Sequence, residues 1–212
     1  MAEYIKIETI FERDIEGTKK LIEGKFRNET VEYLKENQWI GTEKIDGTNI
    51  GIAWNGHTVS YQGRTEKAQI PAHLMNKLIE MFGGIVNEEI FEQKFGAMQV
   101  VLFGEGYGAK IQKGGRDYRS DVSFILFDVY LPEQNLWLKR DAVEDIAKTF
   151  GVDVVPIVYK GDIAGAVEFV KGKPKSTIGV ADMEGIVCKP AVDILDRMGR
   201  RLIVKIKVCD FE

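Results

Sequence analysis

The sequence predicts an α+β fold in which antiparallel sheets are flanked by helices. Three observations lead there. Strand-like segments come in hairpin order, most plainly Thr48–Trp54, the turn signal Asn55-Gly56 and a return strand His57–Tyr61. Helical segments interrupt the strands irregularly, so the strict strand–helix–strand alternation of a doubly wound parallel sheet is missing. The polar residues of interest gather at strand ends and on strand faces, as expected for a cleft between two sheets.

Along the chain, the first forty residues read as mixed, with a helix around Thr30–Glu36. Trp39–Glu43 is a short strand, and Thr48–Trp54 alternates with the period of two that a half-buried strand requires. Pro71 opens a helix to about Phe82, closed by Gly83-Gly84, and a second runs roughly Asn87–Phe95. Met98–Phe103 is an apolar strand. Gly104–Ser120, rich in glycine and basic residues, reads as a mobile loop. Ser123–Val129 is a buried strand. Asp141 with Glu144 forms a capping box for a helix to Phe150. Val152–Tyr159 is strand-like, and Asp162 caps a helix to about Val170. Two last strands, Met183–Cys188 and Leu202–Val208, flank a turn near Gly199.

A chain of 212 residues can bury one sizeable core or two small ones. Its 44% hydrophobic and 29% charged content is ordinary for a globular protein. No apolar run approaches the ~20 residues of a membrane span. The start, Met1-Ala2-Glu3-Tyr4-Ile5-Lys6, has no signal-peptide core, so a cytoplasmic location is expected. Cys188 and Cys209 make no disulfide framework and have no paired-ligand spacing with His57 or His73. Both read as small buried side chains rather than zinc ligands. The net charge of -4 argues against non-specific nucleic-acid binding, so any polyanion must meet local patches. Candidates are Lys110, Lys113, Arg116 and Arg119, then Lys171, Lys173 and Lys175, then Arg197, Arg200 and Arg201; taken singly, each reads more simply as a solvated loop.

The chemistry centres on Lys44-Ile45-Asp46-Gly47-Thr48-Asn49. A lysine beside an aspartate and a tight glycine turn suits a nucleophilic amine. Lysine is ordinarily protonated at neutral pH, with a pKa of ~10.4, and becomes reactive when burial or neighbouring cations disfavour the charge. A hairpin turn with surface charges accounts for the six residues as well. Other segments add to the nucleophile reading. Arg64, in Gly63-Arg64-Thr65, can fork onto a phosphate. Glu105, at the end of an apolar strand, can accept from ribose hydroxyls. Phe127-Asp128 sets an aromatic face where a base could stack. Glu184 starts the strand Glu184-Gly185-Ile186-Val187-Cys188-Lys189. Lys205 and Lys207 share one strand face, with Val204, Ile206 and Val208 facing the core. Two neighbouring ammonium groups repel unless an anion or carboxylate lies between them, which points to a phosphate. Individually, Arg64 is equally a surface charge, Glu105 and Glu184 could cap or pair, and the two lysines could be a solvated edge. A kinase-like reading of Gly104-Glu105-Gly106-Tyr107-Gly108 lacks a matching catalytic loop downstream.

In order, these segments resemble the motifs of the covalent nucleotidyltransferase superfamily of polynucleotide ligases and mRNA capping enzymes. The series is Lys44-x-Asp46-Gly47-x-Asn49, Gly63-Arg64-Thr65, Gly104-Glu105, Phe124-x-x-Phe127-Asp128, Glu184-Gly185 and Lys205-x-Lys207. The nearest likeness is to RNA ligases of the RNA ligase 2 type, common in bacteriophages, and it covers about Trp39 to Lys207. Asn49 inclines towards RNA ligases, because DNA ligases and capping enzymes more often carry arginine there. The resemblance implies an ATP-grasp-like adenylation domain with a central nucleotide cleft, spanning 1–212 as a single nucleotidyltransferase domain. ATP and Mg²⁺ are the implied cofactors, and RNA ends or nicked RNA the implied partners. Lys44 would attack the α-phosphate of ATP, release pyrophosphate and become a lysyl-AMP. The AMP would pass to an RNA 5′-phosphate, and a 3′-hydroxyl would displace it.

By the same resemblance, Asp46 and Asn49 shape the lysine's pocket and meet sugar or phosphate. Arg64 and Glu105 hold ribose and phosphate, and Phe127 stacks on adenine. Glu184 is the carboxylate nearest the metal. Lys189, Lys205 and Lys207 contact phosphate and, with magnesium, supply the field that activates Lys44. Glu43 helps to read adenine. Most relatives continue into a second domain, whereas this chain stops at Glu212, so the family's C-terminal domain is expected to be absent. The basic loop Lys110–Arg119 or an accessory subunit would then supply RNA contacts. The alternatives are a DNA ligase, a GTP-using capping-type enzyme, or a nucleotide- or RNA-end-binding module that no longer reacts.

Overall fold

Alternation along each strand decides which side chains are buried, and the arrangement of the sheets follows from it. The computed structural model describes residues 2–65 and 67–212. In chain order the early elements are β1 (Glu8–Thr9), β2 (Phe11–Arg13), β3 (Leu21–Phe26), α1 (Glu29–Tyr33), β4 (Trp39–Glu43), β5 (Thr48–Trp54) and β6 (Val59–Gln62). There follow α2 (Ala72–Phe82), α3 (Gly84–Phe95), β7 (Val100–Gly108), α4 (Gly115–Tyr118), β8 (Val122–Leu131), β9 (Leu136–Trp137), α5 (Arg140–Phe150) and β10 (Asp153–Val154). The chain ends with β11 (Ile157–Gly161), α6 (Ile163–Lys171), β12 (Gly185–Pro190), β13 (Val204–Lys207) and a 3₁₀ turn, Val208–Asp210. Two compact units result. One comprises Met1–Ile5 and Asp46–Val155, the other Lys6–Ile45 and Pro156–Glu212.

The first unit is built on a sheet of order β10-β8-β7-β5-β6, with β9 paired to β8. Its central pairs are antiparallel, and only β10 runs parallel to its neighbour. Ile50, Ile52 and Trp54 share the core face of β5 and meet Leu74, Leu78 and Phe82 of α2, Phe91 of α3, and Val143 and Ile146 of α5. Each such side chain, fully buried, contributes roughly 1.5–3 kcal/mol. Phe91 and Phe150 hold their ring centroids 4.3 Å apart, and the Trp54 indole N–H donates to the Gly96 carbonyl at 2.9 Å.

The second unit has a sheet of order β1-β13-β12-β4-β11, antiparallel except for β1 on β13, and a small β2-β3 hairpin. Trp39, Ile186, Cys188, Val204 and Ile206 bury one face against Ile163, Ala166, Val167 and Val170 of α6. That helix starts where Asp162 accepts a hydrogen bond from the Gly165 N–H at 2.8 Å. Such a cap is worth ~1 kcal/mol.

The α+β class with mainly antiparallel sheets is what the chain adopts, and several boundaries differ from the sequence reading. The Asn55-Gly56 hairpin closes over four residues, because the Asn55 side chain accepts from the N–H groups of both His57 and Thr58 at 2.9 Å. α5 begins one residue before Asp141, and Glu144 pairs with Arg140 at 2.6 Å instead of completing a capping box. The strand expected over Val152–Tyr159 breaks at Val155-Pro156 into β10 and β11, which belong to different sheets. The loop expected over Gly104–Ser120 is largely ordered. Its first residues extend β7 to Gly108, and Gly115 and Tyr118 of α4 are buried.

Cys209 is exposed, against expectation, while Cys188 is buried and its thiol is pushed up to about 12 by that burial. A maleimide at neutral pH should therefore modify Cys209 alone in the native protein and both thiols after denaturation, counted by intact mass. Modification of Cys188 in the folded chain would mean that the core face of β12 opens.

Candidate active site

In the second unit, period-two alternation separates the site residues onto two faces. β12 lies between β4 and β13, with Thr42 opposite Val187 and Val187 opposite Lys205. Gly185 faces Lys207, and Lys189 faces Ile40. Lys189, Lys205 and Lys207 therefore share the face opposite the apolar core. Lys44 follows β4 and keeps its pairing with β12, its N–H donating to the Gly185 carbonyl at 2.9 Å. Lys44 and Lys207 thus flank Gly185 from both sides, and their side chains converge on Glu184. The Lys44 ammonium donates to Glu184 Oε2, and Lys207 Nζ lies 3.1 Å from Oε1. One carboxylate separates two cations that would otherwise repel. Burial works against the Lys207 ammonium, but the hydrogen bond and charge of Glu184 outweigh it and hold its pKa above the usual lysine value.

The glycine next to Glu184 is a requirement. A Cβ on Gly185 would sit 2.1 Å from the Ile206 carbonyl oxygen, so only glycine lets β12 and β13 approach this closely here.

Glu43 lies on the other face. It pairs with Ile186, is 1% exposed, and accepts hydrogen bonds from the Ser176 hydroxyl, the Thr177 N–H at 3.0 Å and the Thr177 hydroxyl at 2.5 Å. Its carboxylate anchors the segment that leads to Glu184. Ser176 and Thr177 escaped the sequence reading, since neither lies in a recognisable pattern.

In the first unit, Asn49 pairs with Glu105 and Gly51 with Phe103, on the face opposite the core. The Asn49 Oδ1 is buried without a hydrogen-bond donor among the described residues. Phe127 sits at the bulge where the β7–β8 register shifts, and Tyr4 meets its ring edge-on with centroids 5.0 Å apart. Tyr4 also packs on Phe103 and Trp137 and donates its hydroxyl hydrogen to buried Asp128. Arg64 is exposed in the loop after β6. The turn at Asp46-Gly47 is held by two residues that sequence reasoning missed. Gln112 donates to the Gly47 carbonyl at 2.9 Å, and the Asp46 N–H donates to the Tyr118 hydroxyl at 3.4 Å. A Cβ at Gly47 would fall 2.3 Å from the Gly106 carbonyl oxygen.

The sequence profile of the RNA ligase family matches residues 37–207, most of the chain. The chain belongs to the RNA ligase family. No curated protein sequence matches it. Among solved structures, it is similar to the Naegleria gruberi RNA ligase. A point mutant of that enzyme with ATP and Mn matches at 18% identity and a TM-score of 0.68, over 100% of this chain and 57% of the other. The same enzyme with PPi matches at 20% identity and a TM-score of 0.64, over 86% and 53%. A further mutant with AMP and Mn matches at 17% identity and a TM-score of 0.65, also over 86% and 53%. The chain thus spans about half the length of the solved RNA ligases it matches. At these identities the likeness establishes the fold, and the family profile establishes the membership.

Within this family fold, the described residues contain no group of three metal-ligating side chains and no helix long and apolar enough to cross a membrane. Glu184 is the carboxylate that Lys44 and Lys207 share. That donor set suits a divalent ion held mainly by phosphate oxygens and water, the usual way Mg²⁺ is bound with nucleotides.

Proposed function

We propose that this chain is an ATP-dependent RNA ligase of the RNA ligase 2 type that works through a lysyl-AMP, with residues 1–212 acting as one nucleotidyltransferase domain. The observation that carries the reading is the convergence of Lys44 and Lys207 on Glu184 in a chain matched to the RNA ligase family over 37–207. The amine is held in place, yet its partner is a carboxylate that can release it.

In the proposed reaction the Lys44 ammonium first loses a proton, with Glu184 as the adjacent acceptor, and the free amine attacks the α-phosphorus of ATP. A nitrogen–phosphorus bond forms, the bond to the β-phosphate oxygen breaks, and pyrophosphate leaves. An oxygen of an RNA 5′-phosphate then attacks the same phosphorus and frees Lys44. A 3′-hydroxyl next attacks the RNA phosphorus and releases AMP. Lys189, Lys205 and Lys207 offset the phosphate charge, and Asn49, Glu105, Arg64 and Asp46 meet sugar and phosphate. Phe127 offers its ring to adenine. Glu184 is the carboxylate that would hold magnesium bound with ATP, which would neutralise phosphate charge and make pyrophosphate a better leaving group. Glu43 is a clamp on Ser176 and Thr177 in this reading, rather than an adenine reader. The substrates are RNA ends or nicked RNA in the cytoplasm, the host's if the protein is phage-encoded. RNA contacts come from this chain's own basic surface, with an accessory subunit as the other source.

Incubation with α-labelled ATP and magnesium should leave label on the protein, released by RNA bearing a 5′-phosphate. Nicked RNA should be sealed in preference to nicked DNA. Absence of any adduct, despite tight ATP binding, would select the non-catalytic module. Preference for GTP would select a capping-type enzyme.

A further inference from the structure

The basic clusters of the chain differ in how their charge is used. Lys171 pairs with Glu23 at 2.5 Å and Glu168 at 3.1 Å, Lys173 with Glu212 at 2.8 Å, and Lys175 with Asp182. Arg200 pairs with Asp196 at 2.8 Å, and Arg119 with Asp121 at 2.6 Å. Those cations are spoken for locally. Lys110, Lys113 and Arg116 are exposed, and among the described residues no carboxylate pairs with them. No acidic residue lies between Lys110 and Arg116 in the sequence, and Asp117 follows them.

The segment that carries them is fixed in place. The Ala109 N–H donates to the Asp121 carbonyl at 2.8 Å, and the Gly115 N–H to the Gln112 carbonyl at 3.0 Å. Gly115 lies so flush against β7 that a Cβ there would be 1.9 Å from the Gly108 carbonyl oxygen. Gln112 and Tyr118, on either side of the three cations' centre, hold the Gly47 carbonyl and the Asp46 N–H. The basic segment is therefore hydrogen-bonded to the turn two residues along the chain from Lys44.

Lys110 adds a third observation. Its φ is +64°, in the left-handed region that disfavours any side chain. A glycine would sit there without strain, so the lysine is kept at a conformational cost, the kind of outlier that points to use of its side chain.

We propose that Lys110, Lys113 and Arg116 form a phosphate-backbone contact for the RNA substrate beside the lysine motif. The proposal rests on the ligase reading and adds to it the surface that takes the RNA. RNA suits this surface better than the triphosphate of ATP, because the three cations are exposed and spread over seven residues. With a chain net charge of -4, long-range attraction for a polyanion is absent and a local cluster must replace it.

The test compares the 212-residue chain with a Lys110→Ala/Lys113→Ala/Arg116→Ala variant and with Lys110→Gly. Three quantities are measured: formation of the Lys44 adduct as a function of ATP, binding of 5′-phosphorylated RNA across a salt series, and sealing. The triple variant should form adduct within about twofold of wild type. It should bind RNA about tenfold or more weakly, with a salt slope shallower by about two to three, one unit for each lost phosphate contact. Lys110→Gly should raise the melting temperature while weakening RNA binding, a split that a merely structural lysine would not give. Unchanged RNA binding and salt slope in the triple variant overturn the proposal. So does a loss confined to adduct formation with a raised KM for ATP, which would make the segment a triphosphate contact. If wild type forms no adduct, the ligase reading fails, and the RNA-binding arm still decides whether this surface takes RNA.

Discussion

Lys44→Arg will abolish the covalent adduct with AMP and leave the fold intact. The guanidinium keeps the positive charge and can fork onto Glu184, so the anchoring contact survives. It stays protonated under any condition the protein survives, so it has no lone pair to give to phosphorus. The Lys44–Glu184 pair has side-chain exposures of 27% and 19%, and pairs that reach solvent contribute about 0–1 kcal/mol. The melting temperature should therefore move by no more than about 4 °C. Label from α-labelled ATP should fall below detection through the neutral and mildly alkaline range. RNA supplied with a ready-made 5′-adenylate should still be sealed, because that step needs a bound substrate and not a free amine. Retained label would point to another nucleophile, first of all Lys207, which touches the other oxygen of Glu184. Peptide mapping of the adduct would distinguish the two and would remove Lys44 from the proposed role.

The same pair marks the limit of what the sequence disclosed. Lys44, Glu184 and Lys207 were each legible in their own motifs, but Lys44 and Glu184 are 140 residues apart, and only folding brings them together. β4 and β5 were legible to the residue, since β4 alternates cleanly and β5 alternates Ile50, Ile52 and Trp54 with small or polar residues in sequence, although all of 50–54 is buried. β1 to β3 were not, because they are two to six residues long and much of their length is exposed. The glycines of Gly104–Gly108 misled in a physical way. They read as turn formers, but Gly106 serves close packing, where a Cβ would lie 2.5 Å from Leu74 Cδ2. Glu43 was misplaced although the signal was present: Trp39, Gly41 and Glu43 share a face by period two, and Trp39 must be inside. Gln112 had no signal at all, since one amide in a basic segment carries no pattern.

Gly185→Ala should be the most damaging single methyl in the second unit. The added carbon would meet the Ile206 carbonyl oxygen at 2.1 Å and the Lys207 Cα at 2.8 Å. Both are backbone atoms of a paired strand, so neither can rotate away. The φ of +154° adds strain for any residue with a side chain. Relief requires β13 to move off β12, which breaks the Gly185–Lys207 pairing and carries Lys207 away from Glu184. A destabilisation on the order of 3 kcal/mol is expected from strain and lost pairing together, with adduct formation reduced far more than the unfolded fraction explains. Gly199→Ala is the matched control. Its φ is +73°, but no atom lies within 4 Å of the added carbon, so only the left-handed strain remains, about 1–2 kcal/mol. That variant should label like wild type below its own melting temperature. If Gly185→Ala melts and labels as Gly199→Ala does, the two strands are not pressed together at this glycine, and the placement of Glu184 between its two lysines loses its support.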